Sequence, residues 1–125
     1  MSTATIPSGI NLAVLVGTLS REPELRSLPS GAEVLALELT VRPEGAPAES
    51  VPIAWYDAPP AAATWSAGEE LLVTGRTRRR FFRVGGVTQS RTEVVAITAV
   101  PTRRAAAARK ALGRALAEMG DLVVA

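Results

Sequence analysis

Gly85 and Gly86 separate two strand-forming stretches and so impose a hairpin on the second half of the chain. Before them, Glu70 to Arg83 reads as one long strand, with Leu72 and its neighbours as the core part and arginines as the projecting part. After them, Val87 to Arg91 leads into Thr92 to Val100, whose valines and isoleucine favour a final strand. Arg76, Arg78, Arg79, Arg80, Arg83 and Arg91 all fall within this hairpin. Cations held so close repel one another, and a polyanionic partner is the simplest reason to retain them.

Side chains on a strand alternate between its two faces. Arg76, Arg78, Arg80 and Phe82 therefore share one face, and Thr77, Arg79, Phe81 and Arg83 the other. The first face combines what a single nucleic-acid strand requires: guanidinium groups neutralise phosphates with release of counterions, and an aromatic ring stacks on any base. Phe81 is expected in the core or an interface. Trp55, beside Tyr56 at the end of an earlier strand, is either a second stacking platform or a core anchor, and the residues leave both open. With Arg91 on the returning strand, the expected nucleic-acid contacts are Arg76, Arg78, Arg80, Phe82, Trp55 and Arg91.

The first part of the chain supplies three more strands. Ile10, Leu12, Val14 and Val16 alternate with smaller or polar residues up to Leu19, and Gly17 marks a bend that lets a sheet curl. Pro23 breaks the chain, and Val34 to Val41 follows with Leu35, Leu37, Leu39 and Val41 on one face and Glu38 and Thr40 on the other. Val51 to Tyr56 is the third. A short helix is expected next, with Asp57 as N-cap, Pro59 and Pro60 in its first turn, Gly68 at its end and Trp65 as a plug against the core. Beyond Pro101, Ala105 to Met119 reads as an amphipathic helix stopped by Gly120, with Leu112, Leu116 and Met119 as its apolar stripe. The strand order, with a short helix between strands three and four, is that of a mainly β, five-stranded Greek-key OB-fold barrel. The expected organisation is a flexible N-terminus over 1–9, the barrel over 10–101, and the helix with a short tail over 102–125.

Composition narrows the function. The 125 residues are 47% hydrophobic, enough for one cored domain without staples. Neither cysteine nor histidine occurs, which removes disulfides, thiolate sites, Ser-His-Asp and Cys-His catalysis, and the commonest metal ligand. No enzyme, cofactor or metal is expected, and the chain reads as cytoplasmic with no membrane role. Charge is strongly polarised: up to Gly75 three arginines face nine carboxylates, and from Arg76 onward eleven basic groups face three acidic ones.

The stretch NLAVLVGTLSREPELRSLPSG from Asn11 resembles the opening of bacterial single-stranded-DNA-binding proteins: an asparagine, an apolar strand, a glycine, a Pro-Glu-apolar-Arg element and a glycine turn. Gly68 to Gly75, GRTRRRFF and RTEVVA resemble that family's later strands, so the likeness runs over about residues 10 to 100. It implies an OB-fold that assembles as a homo-oligomer, tetramer or dimer, and binds single-stranded DNA without sequence preference in replication, repair or recombination. In that likeness Phe82 matches a stacking aromatic, Arg78 and Arg80 match backbone-contacting positions, and Trp55 matches an aromatic of the third strand. Other aromatic positions of the family are filled here by Glu49 to Val51 and Arg42 to Glu44, the hairpin reads as a short arm, and the family's acidic tip has no counterpart. The chain thus resembles a short paralogue with modest, salt-sensitive binding. The residues do not separate DNA from RNA. The competing reading is an oligomerisation or protein-interaction module with weak or lost nucleic-acid binding.

Overall fold

The computed structural model describes residues 9–118. It contains β1 (Ala13–Leu19), β2 (Glu24–Ser27), β3 (Glu33–Val41), β4 (Glu49–Tyr56), a 3₁₀ turn (Pro60–Thr64), β5 (Glu70–Val84), β6 (Val87–Pro101) and α1 (Ala105–Ala117). The strands form one sheet in the order β1-β5-β6-β4-β3-β2, and β1 also pairs with β3, so the ladder returns to its first strand. Every pairing is antiparallel except the brief parallel contact of Ile53 and Ala54 on β4 with Val94 and Val95 on β6.

Alternation decides which side chains fill the interior. Leu35, Leu37 and Leu39 of β3, Ile53 and Trp55 of β4, Leu71 and Val73 of β5, and Val94 and Ala96 of β6 meet in one cluster with Leu19. Each such leucine contributes about 1.5–3 kcal/mol by leaving water. β1 alternates as expected but with the opposite face inward: Ala13, Leu15 and Leu19 pack on the core, and Val14 and Val16 are exposed.

Two glycines allow the sheet to close upon itself. At Gly17, as β1 passes from β5 to β3, a Cβ would lie 2.6 Å from the Thr40 carbonyl oxygen and 2.9 Å from Leu39 Cγ. At Gly75 a Cβ would overlap the Val95 carbonyl, because the register between β5 and β6 slips there and leaves Ile97 as an extra residue. The bend expected at Gly17 is thus a close approach of two backbones.

Several local expectations are corrected. β2 was hidden because all four of its residues are exposed, leaving no apolar period to read. The short helix is a 3₁₀ turn with Pro59 at its N-cap and Trp65 at its C-cap. Asp57 instead occupies the left-handed region at φ 58°, and Gly68, at φ 94°, lies in the turn before β5. The hairpin arm is long, since β5 and β6 each span 15 residues and stay paired out to Val84 and Val87. Gly85 and Gly86, at φ 57° and 79°, make its turn as expected.

On α1 the buried residues are Ala111 and Ala115, while Leu112 and Leu116 are exposed. Small residues let the helix lie close to β5 and β6, so its inner face is the one that looked least hydrophobic. Met119 and Gly120 lie outside the described residues. No helix among the described residues is long and apolar enough to cross a membrane.

Candidate nucleic-acid interface

A groove runs between the outward face of β3 and β4 and the base of the β5–β6 arm. Its charged walls are Arg21, Arg26, Arg78, Arg80 and Arg91, with Glu38 and Glu93 among them, and Tyr56 lies on its floor with Ala36, Pro52 and Ala54. The alternation that sends Leu35, Leu37 and Leu39 inward turns Ala36 and Glu38 into the groove, and Tyr56 faces it because Trp55 faces the core. Five guanidinium groups against two carboxylates leave the groove cationic.

Arg78 is the most tightly held of these cations. Its Nη2 donates to Tyr56 Oη at 2.9 Å and to Glu93 Oε2 at 2.5 Å, and its guanidinium lies 5.5 Å from the Tyr56 ring centroid. The hydrogen bond to Tyr56, then that to Glu93, pushes its pKa above the ordinary arginine range against the opposing effect of burial. Its Nε is buried without a partner among the described residues. Arg80 Nε donates to Glu93 Oε1 at 3.2 Å, and its guanidinium stands 5.4 Å from the Phe82 ring centroid. The aromatic and the cations of this face therefore pack as a unit along the arm.

A second carboxylate sits at the other wall. Glu38 Oε2 lies 3.8 Å from Arg21 Nη2 and from Arg91 Nη2, and Ser50 Oγ donates to its Oε1 at 2.5 Å. Arg26 is paired with Glu24 at 3.0 Å. Arg76 is exposed with no carboxylate partner among the described residues, but it lies outside the groove lining, nearer the core end of β5.

Of the six expected contacts, the fold thus gathers Arg78, Arg80 and Arg91 in the groove and Phe82 beside it, and leaves Arg76 apart. Trp55 is removed from the set: it is 5% exposed, belongs to the core cluster, and stacks on Trp65 at 6.0 Å between centroids. The aromatic that β4 offers to the groove is its neighbour Tyr56. Phe81 is not a core ring, being 66% exposed on the opposite face of the arm. Sequence reasoning also missed Arg21, Arg26, Glu38 and Glu93. The Pro-Glu-apolar-Arg element carried the signal for Arg26, and the outward parity of β3 carried it for Glu38.

Among the described residues no group of three or more potential metal-ligating side chains is brought together. The family model described as the single-strand binding protein family matches residues 10–100. A comparison with curated proteins finds no match.

Proposed function

The chain belongs to the single-strand binding protein family, and we propose that it holds a single DNA strand in the groove between the β3–β4 face and the β5–β6 arm. The family is one of non-enzymatic DNA-binding proteins, so the chain is not an enzyme. In this reading the returning ladder of strands is a Greek-key OB barrel, and the groove is its binding face. Arg21, Arg26, Arg78, Arg80 and Arg91 take phosphates, while Tyr56 and Phe82 offer rings to bases. The observation that carries it is the convergence of these five arginines, from three separate parts of the sequence, on one groove with an aromatic floor.

Such contacts ignore base identity, because phosphates are common to all sequences and every base has a π face. In this reading, binding of this kind serves replication, repair or recombination in the cytoplasm. Titration of labelled oligo-dT at several salt concentrations tests it. Saturable binding that weakens steeply with salt is the expected result, and no binding at low salt overturns the assignment. Matched oligo-U in competition separates DNA from RNA as the preferred strand.

A second reading, self-assembly, has its own observation. Val14 and Val16 stand exposed on the same side of β1 as Leu12, which shares a surface pocket with Ile97, Ala111 and Ala115. Ile97, Leu112 and Leu116 are exposed as well. A homo-oligomer that covers these residues is compatible with strand binding, since the groove lies elsewhere.

A further inference from the structure

We propose that Glu93 sets the affinity of the groove by competing with the strand's phosphates for Arg78 and Arg80, an inference that rests on the strand-binding reading above. The Glu93 side chain is 7% exposed, and each of its oxygens is committed to a different guanidinium. A carboxylate and a phosphate make the same demand on arginine, which is to present N–H groups in a plane to two oxygens. Glu93 therefore occupies, from inside the protein, the coordination that a phosphate would seek from the groove side.

The two arginines are not equally committed. Arg78 is 29% exposed and wedged between Tyr56 and Glu93, whereas Arg80 is 47% exposed and engages Glu93 through Nε alone. Arg80 is thus the guanidinium that turns its terminal nitrogens to a phosphate more readily, and Arg78 the one whose phosphate contact Glu93 opposes more strongly. Together the three side chains offer the strand one net positive charge where the sequence of β5 displays two. The affinity gained from counterion release scales with the charge neutralised, at about 0.7 in log–log salt slope per phosphate for single strands.

Glu38 repeats the arrangement with Arg21 and Arg91, but at 3.8 Å and with 22% exposure. Water screens that looser pair, so the competition is concentrated in Glu93. Burial matters for the same reason: a carboxylate removed from solvent is not displaced by added salt as a surface ion pair is.

The test is Glu93→Gln in the full chain, titrated with oligo-dT across a salt series beside wild type and Glu118→Gln, which makes the same charge change at the C-cap of α1. Glu93→Gln is expected to bind about five- to tenfold tighter at low salt, with a slope steeper by about 0.7. Glu118→Gln is expected to match wild type. Equal or weaker binding by Glu93→Gln overturns the proposal and leaves the strand-binding assignment intact, because wild type still binds; failure of wild type itself to bind overturns both. The double variant Arg78→Gln/Glu93→Gln removes both members of the ion pair together and covers the case in which the single variant does not fold. Its salt slope should equal that of wild type, and a slope shallower by about 0.7 would show an uncancelled phosphate contact at Arg78 and overturn the proposal.

Discussion

Asn11 and Thr77 grip each other across the base of the arm: Asn11 Nδ2 donates to the Thr77 carbonyl at 2.7 Å, and its Oδ1 accepts from the Thr77 amide at 2.9 Å and hydroxyl at 3.0 Å. The side-chain amide of Asn11 thereby does for β5 what another strand's peptide group would do, two residues beyond the last β1–β5 pair at Ala13 and Gly75. Asn11→Ala removes all three bonds at an exposed site, where water replaces part of the loss. A decrease of about 1–2 kcal/mol in unfolding free energy is expected from urea titration, with larger amide-exchange rates at Thr77 than at Val73.

Gly75→Ala should be far more damaging. The atoms that an added Cβ meets are the Val95 carbonyl and Ala96 Cα, which are backbone and cannot turn aside. A loss of roughly 3 kcal/mol or more is expected by thermal or chemical denaturation, in the range of strongly strained sites. Gly9→Ala, where nothing lies within 4 Å, is the matched control and should melt as wild type.

Tyr56 and Trp55 should separate binding from stability. Tyr56→Ala takes a ring from the groove and a hydrogen-bond partner from Arg78, and is expected to weaken oligo-dT binding by about 1–3 kcal/mol, the worth of one stacked base. Trp55→Ala empties a core position and should cost about 3–5 kcal/mol of stability. Fluorescence anisotropy and denaturation, run on both variants, check the two halves of this statement.

The Glu24 carboxyl is held below its ordinary range first by the hydrogen bond from Arg26 and then by that residue's charge. A lowered folded-state pKa means that the pair's stabilising effect is present at neutral pH and fades as acid protonates Glu24. Both groups are exposed, so the effect on stability is small. NMR titration of the side-chain carboxyl should give a depressed midpoint in wild type that returns toward the usual glutamate value in Arg26→Met.

How much of this was legible from the residues varies with the physical signal each carries. The hairpin could be read because Gly85 and Gly86 are the residues that accept left-handed backbone without cost, and strand formers flank them. The family, the predominance of strands and the arginine-bearing face of β5 could also be read. The groove could be read only in part. A period of two puts Trp55 and Tyr56 on opposite faces but does not say which is inside, and that depends on packing against Trp65. The α1 face went astray because close approach selects Ala111 and Ala115 over the leucines beside them. Glu93 was invisible as a partner of Arg78 and Arg80, since the antiparallel register of β5 and β6 alone sets it opposite Arg78 and diagonal to Arg80.

The packing of Trp55 against Trp65 has an optical consequence. Trp55 is buried in the core, Trp65 is partly buried against it, and neither lines the groove, so tryptophan emission should follow unfolding and change little when a strand fills the groove. Binding would have to be followed through the oligonucleotide's own label or through Tyr56, the sole tyrosine of the chain. This chain therefore carries, in its native residues, a spectroscopic gauge of folding that is largely blind to its ligand.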